Sequence, residues 1–454
     1  MPKATASVVI CGAGIAGVSA AYYLAVRHGM ENVMLVDERP PLTLTSDKST
    51  ECYRNWWPGP GDAMVRLMNR SIDLMEELAA ETDNAFNLNR RGYLYATADP
   101  ARIPLLRRAA EESSALGAGP LRYHPGAAPY RPASHQGYAG EPTGADLILD
   151  PALIRQHFPY VSERTVALLH ARRCGWLSAQ QLGMYLLERA REHGVTFRSA
   201  RIEGIDVVNG RVRAVRLQSG EFILADRIVN AAGPFLKDVG AMLGVDLPVF
   251  SEHHSMVTFR DERGVVPRHA PLLIWADPQV LTWSDEERTL LAQSEETQGF
   301  LHELPPGAHL RPEGGPDSNV LLMLWAYRTT PVTPEFPPRC DPSHFEIVLR
   351  GLATMLPGLQ TYLDRAPRPV IDSGYYTKTR ENRPLIGPLP VEGAYVIGAL
   401  SGFGIMAACA AGELLAAHLT RGTLPQYATA FRLERYQDPE YQRALSSWDE
   451  TGQL

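Results

Sequence analysis

Short apolar runs next to stretches with helical composition occur near both ends of this chain. Residues 7–11 and 33–36 are almost wholly apolar, and residues 18–27 between them have the composition of a helix. Such runs are typical of strands buried on both faces of a parallel sheet. A third run over residues 394–398 precedes a glycine turn and a helical stretch over residues 405–419. The pattern therefore predicts a strand–turn–helix unit at each end of the chain.

The middle of the chain alternates between helical and strand-like periods. Residues 62–81 carry apolar side chains at helical spacing. Ser178 and Gln181 form a capping pattern that opens a helix to His193, and Gly194 stops it. Asn209-Gly210 lies between two strand-like runs and predicts a hairpin. Further expectations are strands that form a second, mostly antiparallel sheet over 247–330, a proline-rich connection over 331–342 and a helix over 344–356. Residues 117–146 are expected to form a long irregular loop, which is either functional or a disordered surface insertion.

The first predicted turn carries a dinucleotide-binding pattern. Gly12, Gly14 and Gly17 have G-x-G-x-x-G spacing, and Asp37 follows Gly17 by 20 residues at the end of the second strand. The first glycine permits a tight turn, the second admits a pyrophosphate and the third lets the helix pack on the strand. The helix N-terminus offers amides to phosphate, and Asp37 would accept hydrogen bonds from a ribose. A glycine turn in an unrelated α/β protein is the alternative, and the motif does not separate FAD from NAD.

Composition excludes several classes of protein. The 454 residues carry a net charge of −7, with 45% hydrophobic and 21% charged residues, which is typical of a folded globular protein. At about 150 residues per domain the length suggests about three domains. A nucleic-acid binder would need a basic patch, and none is visible. The first residues do not have the pattern of a signal peptide, and residues 394–419 contain Glu413 and four glycines, so no membrane span is predicted.

The five cysteines bear on compartment and metal binding. No two of them have C-x-x-C spacing, so neither a zinc ribbon nor a thioredoxin motif is predicted, and we expect no metal site. An odd, low count fits a reducing compartment, and a cytoplasmic location is expected. The cysteines are Cys11, Cys52, Cys174, Cys340 and Cys409.

Seven collinear segments together resemble one family, the FAD-dependent D-amino-acid oxidase superfamily. Within it they are most similar to the sarcosine oxidase, glycine oxidase and dimethylglycine dehydrogenase branch. The resemblance spans nearly the whole chain and is specific to the superfamily, not to a substrate. The segments are 8–25 (VVICGAGIAGVSAAYYLA), 35–38 (LVDE), 49–56 (STECYRNW), 175–195 (GWLSAQQLGMYLLERAREHGV), 229–234 (VNAAGP), 383–390 (RPLIGPLP) and 395–419 (YVIGALSGFGIMAACAAGELLAAHL).

The resemblance implies an α/β fold in which two domains are interleaved. One is a Rossmann-like FAD-binding domain, and the other is a substrate domain built on a mostly antiparallel sheet. The length alone suggests about three successive domains, whereas the resemblance implies two interleaved domains. The expected ranges are 1–90, 150–245 and 370–430 for the FAD-binding domain, 91–149 and 246–369 for the substrate domain, and 431–454 for a C-terminal tail.

The resemblance also implies FAD rather than NAD, and oxidation of a C–N bond by hydride transfer to flavin N5. The resulting imine hydrolyses, and electrons pass to O2 or to a protein or quinone acceptor. Oxidation of a C–OH bond, as in 2-hydroxy-acid relatives, and a flavin-binding subunit of an electron-transfer complex are the alternatives. The implied FAD-binding residues are Gly12, Gly14, Ile15, Ala16, Gly17, Asp37, Glu38, Ser49, Thr50, Ile202, Ala232, Gly233, Gly402, Phe403, Gly404, Ile405 and Met406.

Several positions depart from the family pattern. Gly374 stands where sarcosine oxidases attach FAD through a cysteine, and residues 49–54 lack the histidine that dimethylglycine dehydrogenase uses. Cys52 is interpreted more readily as a packed thiol, so we expect non-covalent FAD. Met406 and Tyr376 replace the family's carboxylate-binding Lys and Arg. Met323 falls near the place of the oxygen-activating Lys, which leaves the electron acceptor open.

The candidates for substrate chemistry each have a plain structural alternative. An arginine would suit a substrate carboxylate, although it would equally serve a phosphate or an internal ion pair. Two histidines after the strand-like run 247–250 would act as base or hydrogen-bond donor, or are ordinary polar residues of a strand. Two tyrosines would line a pocket, or belong to the core. These candidates are Arg54, His253, His254, Tyr327 and Tyr376, with Lys378 and Arg380 as further cations and Tyr375 as a further wall residue.

Overall fold

The computed structural model describes residues 4–126, 129–315, 317–446 and 448. Two large sheets, a four-stranded sheet and two strand pairs organise this part of the chain, with helices packed against them. In chain order the strands are β1 (Ala4–Thr5), β2 (Val8–Cys11), β3 (Val33–Asp37), β4 (Cys52–Arg54), β5 (Tyr93–Thr97), β6 (Leu121–His124), β7 (Ala145–Ile148), β8 (Ala167–Ala171), β9 (Cys174–Trp176), β10 (Thr196–Ser199), β11 (Ile202–Val208), β12 (Arg211–Leu217), β13 (Phe222–Leu224), β14 (Ile228–Asn230), β15 (Phe250–Arg260), β16 (Leu272–Trp275), β17 (Gln279–Val280), β18 (Glu303–Leu304), β19 (His309–Glu313), β20 (Val320–Leu324), β21 (Pro331–Val332), β22 (Val370–Lys378), β23 (Leu385–Pro388) and β24 (Ala394–Gly398).

The α-helices of the described ranges lie between these strands or follow them. They are α1 (Ile15–Tyr22), α2 (Ala63–Glu81), α3 (Ile103–Ser113), α4 (Pro151–His157), α5 (Ala179–Glu192), α6 (Leu236–Met242), α7 (Asp285–Leu291), α8 (His344–Met355), α9 (Gly404–Thr420) and α10 (Pro439–Ser446). Among the residues described, none of these helices combines the length and the apolar character that a membrane crossing requires.

The six-stranded sheet has the order β10–β3–β2–β14–β24–β23. Its strands are parallel except for β23, which pairs antiparallel with β24. β2 and β14 are buried throughout, which explains their apolar sequences. Because β2, β14 and β24 are parallel, their carboxyl ends meet at one edge. The predicted α/β fold with a parallel sheet is confirmed.

Helices α1 and α9 pack side by side on this sheet. The Ser19 hydroxyl of α1 donates to the carbonyl oxygen of Ala408 in α9 at 2.7 Å. A Cβ placed on Gly412 would lie 2.3 Å from that hydroxyl oxygen, so the helices approach closely because α9 carries glycine there. Each helix follows a strand of the same parallel set, and both N-termini therefore lie at the carboxyl edge of the sheet.

The second large sheet has two chemically different faces. Its strands run in the order β21–β15–β20–β19–β16–β5–β8–β7–β6, and β22 also pairs with β15. One cross-strand row holds five apolar residues that belong to one buried cluster with α8: Val257, Met323, Leu310, Leu273 and Leu94. Side chains alternate along each strand, so the neighbouring row lies on the opposite face. That face carries apolar residues such as Leu272 and Ile274. It also carries the polar residues Glu252, His254, His309, Arg311 and Tyr95.

The structure differs from the sequence expectations in three strands. β6 forms inside the segment expected to be an irregular loop and pairs with β7. β8 and β22 lie in ranges expected to belong to the FAD-binding domain, yet both pair within the second large sheet. Their pairing partners are distant in the chain, so local sequence carries no signal for the sheet that each strand joins.

Several helices, among them α3 and α7, were not expected, and one strand is longer than expected. α3 and α7 fall in segments without a predicted helix, although Ser284 and Glu287 form a capping box at the start of α7. β15 continues ten residues beyond Phe250 to Arg260, so His253 and His254 lie within a strand and not after one. The hairpin at Asn209-Gly210 is confirmed: β11 and β12 pair antiparallel, and both turn residues have positive φ.

Candidate cofactor and substrate site

A cavity of about 340 Å³ opens at the carboxyl edge of the six-stranded sheet. Its wall is formed by the turns after β2 and β14, the end of β3, part of the segment before β4, strand β22 and the turn before α9. Of the residues proposed from sequence, the wall includes Gly12, Gly14, Ile15, Ala16, Asp37, Glu38, Ser49, Ile202, Ala232, Gly233, Gly402, Gly404, Ile405 and Tyr376.

Four residues proposed as FAD contacts do not line this cavity. A Cβ on Gly17 would lie 1.9 Å from the Gly12 carbonyl oxygen, so this glycine serves the packing of the helix on the turn. Phe403 packs edge-to-face on Trp57, and Met406 belongs to the apolar core. The carbonyl of Thr50 accepts a hydrogen bond from Arg311 Nε at 2.7 Å.

The first glycine turn has a backbone conformation and close contacts that favour glycine. Gly12 has φ +109°, and a Cβ there would lie 2.4 Å from the Ala231 carbonyl oxygen. Residue 14 precedes α1 in an extended conformation, and a Cβ there would approach Ser46 Oγ to 3.1 Å. The amides at the start of α1 lack partners within the helix, so the turn forms a site for an anion.

Ser46 is a site residue that sequence reasoning missed. The Ile15 amide donates to Ser46 Oγ at 2.9 Å, which leaves the hydroxyl hydrogen available to a phosphate oxygen. The neighbouring Thr45 hydroxyl donates to the Tyr375 carbonyl at 2.8 Å and ties this segment to β22. The only signal in the sequence was a pair of hydroxyl residues shortly before the segment 49–54.

Asp37 is fixed by two backbone amides. Its Oδ2 accepts from the Ala13 amide at 2.8 Å and its Oδ1 accepts from the Arg39 amide at 2.9 Å. A carboxylate has about four acceptor positions, so a ribose hydroxyl still finds a lone pair on either oxygen. The glycine turn and the end of β3 are therefore held together by the carboxylate that faces the cavity.

The turn before α9 brings a second helix N-terminus to the same cavity. Ala399 and Ser401 have positive φ values of 52° and 47°, and the Ser401 amide donates to the Thr377 carbonyl at 2.9 Å. Ser401 lines the cavity, and its buried hydroxyl has no hydrogen-bond partner among the described residues. An unsatisfied buried hydroxyl indicates a missing polar partner. Together with the two helix N-termini, it fits a dinucleotide that carries a polar ring system such as FAD.

Tyr376 connects the cavity to the polar face of the second large sheet. Its ring lies against Gly402, where a Cβ would come within 2.5 Å of the ring, and it stacks on His254 with centroids 4.0 Å apart. His254 Nε2 lies 3.2 Å from Glu252 Oε2, and Lys378 Nζ lies 2.9 Å from Glu252 Oε1. Burial lowers the pKa of His254 although Glu252 opposes this, so the imidazole is held towards its neutral form. Tyr376 thus packs against His254, which forms a buried ionic group with Glu252 and Lys378.

Arg54 belongs to β4, which pairs with β9 outside the second large sheet, and it packs against the polar face without lining the cavity. Its guanidinium donates to the Tyr95 hydroxyl at 3.2 Å and lies 4.8 Å from the Trp57 ring. His309, which the sequence did not single out, lies nearby: burial, assisted by the positive Arg54, lowers its pKa to about 4. Its Nδ1 lies 2.8 Å from the Gly307 carbonyl, so Nδ1 carries the hydrogen and Nε2 is an acceptor. The sequence signal that could have identified His309 was the polar residue at every second position of β19: His309, Arg311 and Glu313.

Two of the proposed catalytic residues lie apart from this group. Tyr327 hydrogen-bonds His344 at 2.9 Å and packs on Trp325 and Phe300, which places it with the apolar core. His253 alternates with His254, so it lies on the other face of β15, with its ring 5.5 Å from Tyr375. The structure therefore brings His254 and Tyr376 together on one sheet face, with Arg54 packed against that face through Tyr95, but does not bring Tyr327 or His253 to this group.

The positions linked to covalent attachment lie outside the cavity wall. A Cβ on Gly374 would lie 2.9 Å from the Lys48 Cβ. The Cys52 thiol is buried, donates to the Thr50 carbonyl at 3.2 Å, and has its pKa raised by burial. Cys11 does line the cavity, but burial raises its pKa to about 12, which disfavours the reactive thiolate. Among the described residues, no cluster of His, Cys, Asp and Glu side chains is arranged to hold a metal ion.

A parallel sheet whose edge carries a glycine turn and two helix N-termini defines a dinucleotide-binding protein. A model of the FAD dependent oxidoreductase family, DAO, matches residues 7–418, and the chain belongs to this family. Its cofactor is therefore FAD, and the protein is an FAD-dependent oxidoreductase. The predicted family and cofactor are confirmed.

Curated relatives and solved structures agree with this assignment. Mitochondrial dimethylglycine dehydrogenase of Mus musculus is 25% identical over 440 residues, covering 93% of this chain and 43% of that protein. The Rattus norvegicus enzyme is 27% identical over 257 residues, covering 56% and 26%. The chain thus spans less than half the length of these curated relatives.

Solved structures of similar fold cover almost the whole chain. L-proline dehydrogenase from P. horikoshii has a TM-score of 0.73 at 20% identity and covers 96% of this chain and 99% of its own. Glycine oxidase from Geobacillus kaustophilus has a TM-score of 0.72 at 18% identity and covers 95% and 99%. At these identities the likeness concerns the fold.

Proposed function

We propose that this protein oxidises a C–N bond of a small amine or amino acid and that the resulting imine hydrolyses to a carbonyl compound. Bound FAD supplies the hydride acceptor at flavin N5. The observation that carries this proposal is Tyr376, which lines the cofactor cavity and lies on the polar sheet face with His254. Curated relatives named dimethylglycine dehydrogenase and sarcosine oxidase subunit beta support the choice of a C–N bond.

The cofactor would be held at both ends of the cavity without a covalent link. The N-terminus of α1 and the Ser46 hydroxyl would bind the pyrophosphate, and Asp37 a ribose hydroxyl. The N-terminus of α9 and Ser401 would face the flavin, where the positive helix end favours developing negative charge. Non-covalent binding is supported by Gly374, which has no side chain to form a link, and by Cys52, which lies outside the cavity wall.

The polar sheet face would orient the substrate. A carboxylate would pair with the Arg54 guanidinium, which offers a planar fork of donors. An amine N–H would find an acceptor at His309 Nε2, because the Nδ1 hydrogen is engaged by Gly307. A neutral imidazole beside an arginine accepts a hydrogen bond from the amine without adding a second positive charge. Tyr376 would form the wall between this group and the flavin.

Anaerobic reduction by a substrate panel tests the proposal. The purified protein should be yellow, release FAD on acid precipitation, and lose its visible absorption with secondary amines or amino acids but not with matched 2-hydroxy acids. Reoxidation in air, compared with reoxidation by a quinone or protein acceptor, then distinguishes an oxidase from a dehydrogenase. Bleaching by hydroxy acids alone would establish the C–OH alternative, and a protein that binds NAD in place of FAD would refute the proposal.

Arg54→Ala should weaken carboxylate ligands by about 10- to 100-fold, because a charge-assisted hydrogen bond contributes about 1.5–3 kcal/mol. The measurement is the Kd of a carboxylate inhibitor, taken from the perturbation of the flavin spectrum. Arg54→Lys keeps the charge but loses the planar fork, so an intermediate loss is expected. An amine ligand without a carboxylate is the control and should bind equally to all three proteins. An unchanged inhibitor Kd in Arg54→Ala would remove Arg54 from the substrate site.

A further inference from the structure

Residues 331–340, here called the strap, contribute one residue to the wall of the cofactor cavity. The strap begins as β21, which pairs with β15, and ends shortly before α8. Most of its residues are exposed, but Phe336 is turned inward and lines the cavity. The proline-rich composition of this segment predicted only a connection. Its one aromatic side chain gives it a contact with the cofactor site.

Phe336 joins the strap to the nucleotide-binding sheet. Its ring centroid lies 5.4 Å from that of Phe235, which follows the turn after β14, and 5.4 Å from that of Tyr375. The Arg39 guanidinium lies 5.1 Å from the Phe336 ring and 5.8 Å from the Phe235 ring. Arg39 and Phe235 both line the cavity. Arg39 also hydrogen-bonds Glu38 at 2.7 Å, which limits its movement.

The strap is also held from the side of the second large sheet. The Tyr375 hydroxyl accepts from the Glu335 amide at 3.0 Å and donates to the Glu335 carbonyl at 2.9 Å. Tyr375 belongs to β22 and is itself part of the cavity wall. The residue next to Phe336 is therefore fixed to the second large sheet, while Phe336 contacts both Tyr375 of that sheet and Phe235, which follows a strand of the other sheet.

We propose that Phe336, Phe235 and Arg39 form a latch that keeps the strap closed over bound FAD and slows its release. Aromatic pairs and cation–π contacts are short-range, so opening the strap far enough for the cofactor to leave breaks all of them together. The latch acts on cofactor retention and not on the oxidation step. It therefore stands whether the substrate is an amine or a hydroxy acid.

The test measures how fast the holoenzyme of the full chain loses FAD. After dilution, the rise of free-FAD fluorescence gives the dissociation rate, and no turnover is required. Phe336→Ala should release FAD about tenfold faster than the wild type, since it loses two aromatic contacts and one cation–π contact. Phe336→Tyr keeps the ring and should release FAD at nearly the wild-type rate. Val332→Ala, an exposed position of the same strap, is the matched control and should leave the rate unchanged.

A double variant separates a latch from a general loosening. If Phe336 acts through Phe235, the Phe235→Ala and Phe336→Ala changes together should release FAD no faster than the more severe single change. Phe336→Leu preserves apolar volume and serves if the alanine variant does not fold; it should still accelerate release. Rates within twofold of the wild type for both Phe336→Ala and Phe336→Leu would overturn the proposal, as would fully multiplicative effects in the double variant.

Discussion

Replacing Glu252 by Gln is expected to lower the free energy of unfolding by about 3–5 kcal/mol, the usual effect of removing one partner from a buried ion pair. Glu252 and Lys378 are 2% and 3% exposed, and their charged atoms lie 2.9 Å apart. The variant keeps the shape of residue 252 but removes the negative charge that faces the Lys378 ammonium and His254. The measurement is urea unfolding at a fixed, saturating FAD concentration. The FAD affinity of each variant must be measured so that its contribution is subtracted.

Two further variants show whether burial of the charge is the cause. Glu192→Gln removes an exposed carboxylate that pairs with Arg189 on α5, and its effect should stay within about 0.5 kcal/mol. Glu252→Gln combined with Lys378→Met removes both charges and should recover much of the lost stability, because a buried pair is often replaceable by apolar groups. A loss below about 1 kcal/mol in the single variant, or no recovery in the double variant, would contradict this account.

The same ion pair predicts a direction for the pH dependence. Burial alone would raise the pKa of Glu252, but the hydrogen bonds from His254 and Lys378 outweigh it and hold this pKa below its usual value. A depressed pKa stabilises the fold above the unfolded-state value of about 4.3, and the stabilisation is lost as the pH falls through the folded-state pKa. The stability difference between the wild type and Glu252→Gln should therefore shrink on acidification below about pH 4.

Local signals in the sequence predicted the parts of the site that depend on neighbouring residues. The glycine turn at Gly12, the position of Asp37 after β3 and the turn before α9 are each encoded within a few residues of chain. Their place on one sheet edge follows from the parallel order of β2, β14 and β24. For these elements, the glycine pattern and the apolar strands were sufficient.

The second sheet could not be assembled in this way, because its pairings join distant segments. β15 has the sequence FSEHHSMVTFR, in which adjacent polar residues hide the alternation of faces. The sequence therefore could not show which of His253 and His254 faces the site. The pleat of the strand places only His254 beside Tyr376. For the same reason His309 was missed and Tyr327 was proposed. Which face a side chain occupies depends on registers that only the assembled sheet defines.

Gly12→Ala should weaken FAD binding by at least about 100-fold, which corresponds to about 2.7 kcal/mol. The φ of +109° is a conformation that alanine rarely adopts, and the added Cβ would lie 2.4 Å from the Ala231 carbonyl oxygen and 3.1 Å from the Ala232 Cα. Both contacts are with backbone at the end of β14, so the turn itself must move. The amides at the start of α1 would then lose their position against the pyrophosphate. The measurement is the Kd of FAD from titration of the flavin-free protein.

Two other glycines separate backbone strain from displacement of the turn. Gly29 has a φ of +63°, but a Cβ added there would have no atom within 4 Å, so Gly29→Ala introduces strain away from the cavity and should leave the FAD Kd unchanged. Gly14→Ala has no positive φ to relieve, and its Cβ would meet only the Ser46 hydroxyl, which can rotate, so a smaller loss than that of Gly12→Ala is expected. Equal losses at residues 12, 14 and 29 would mean that any added methyl destabilises the domain. A wild-type Kd in Gly12→Ala would mean that this turn does not hold the pyrophosphate.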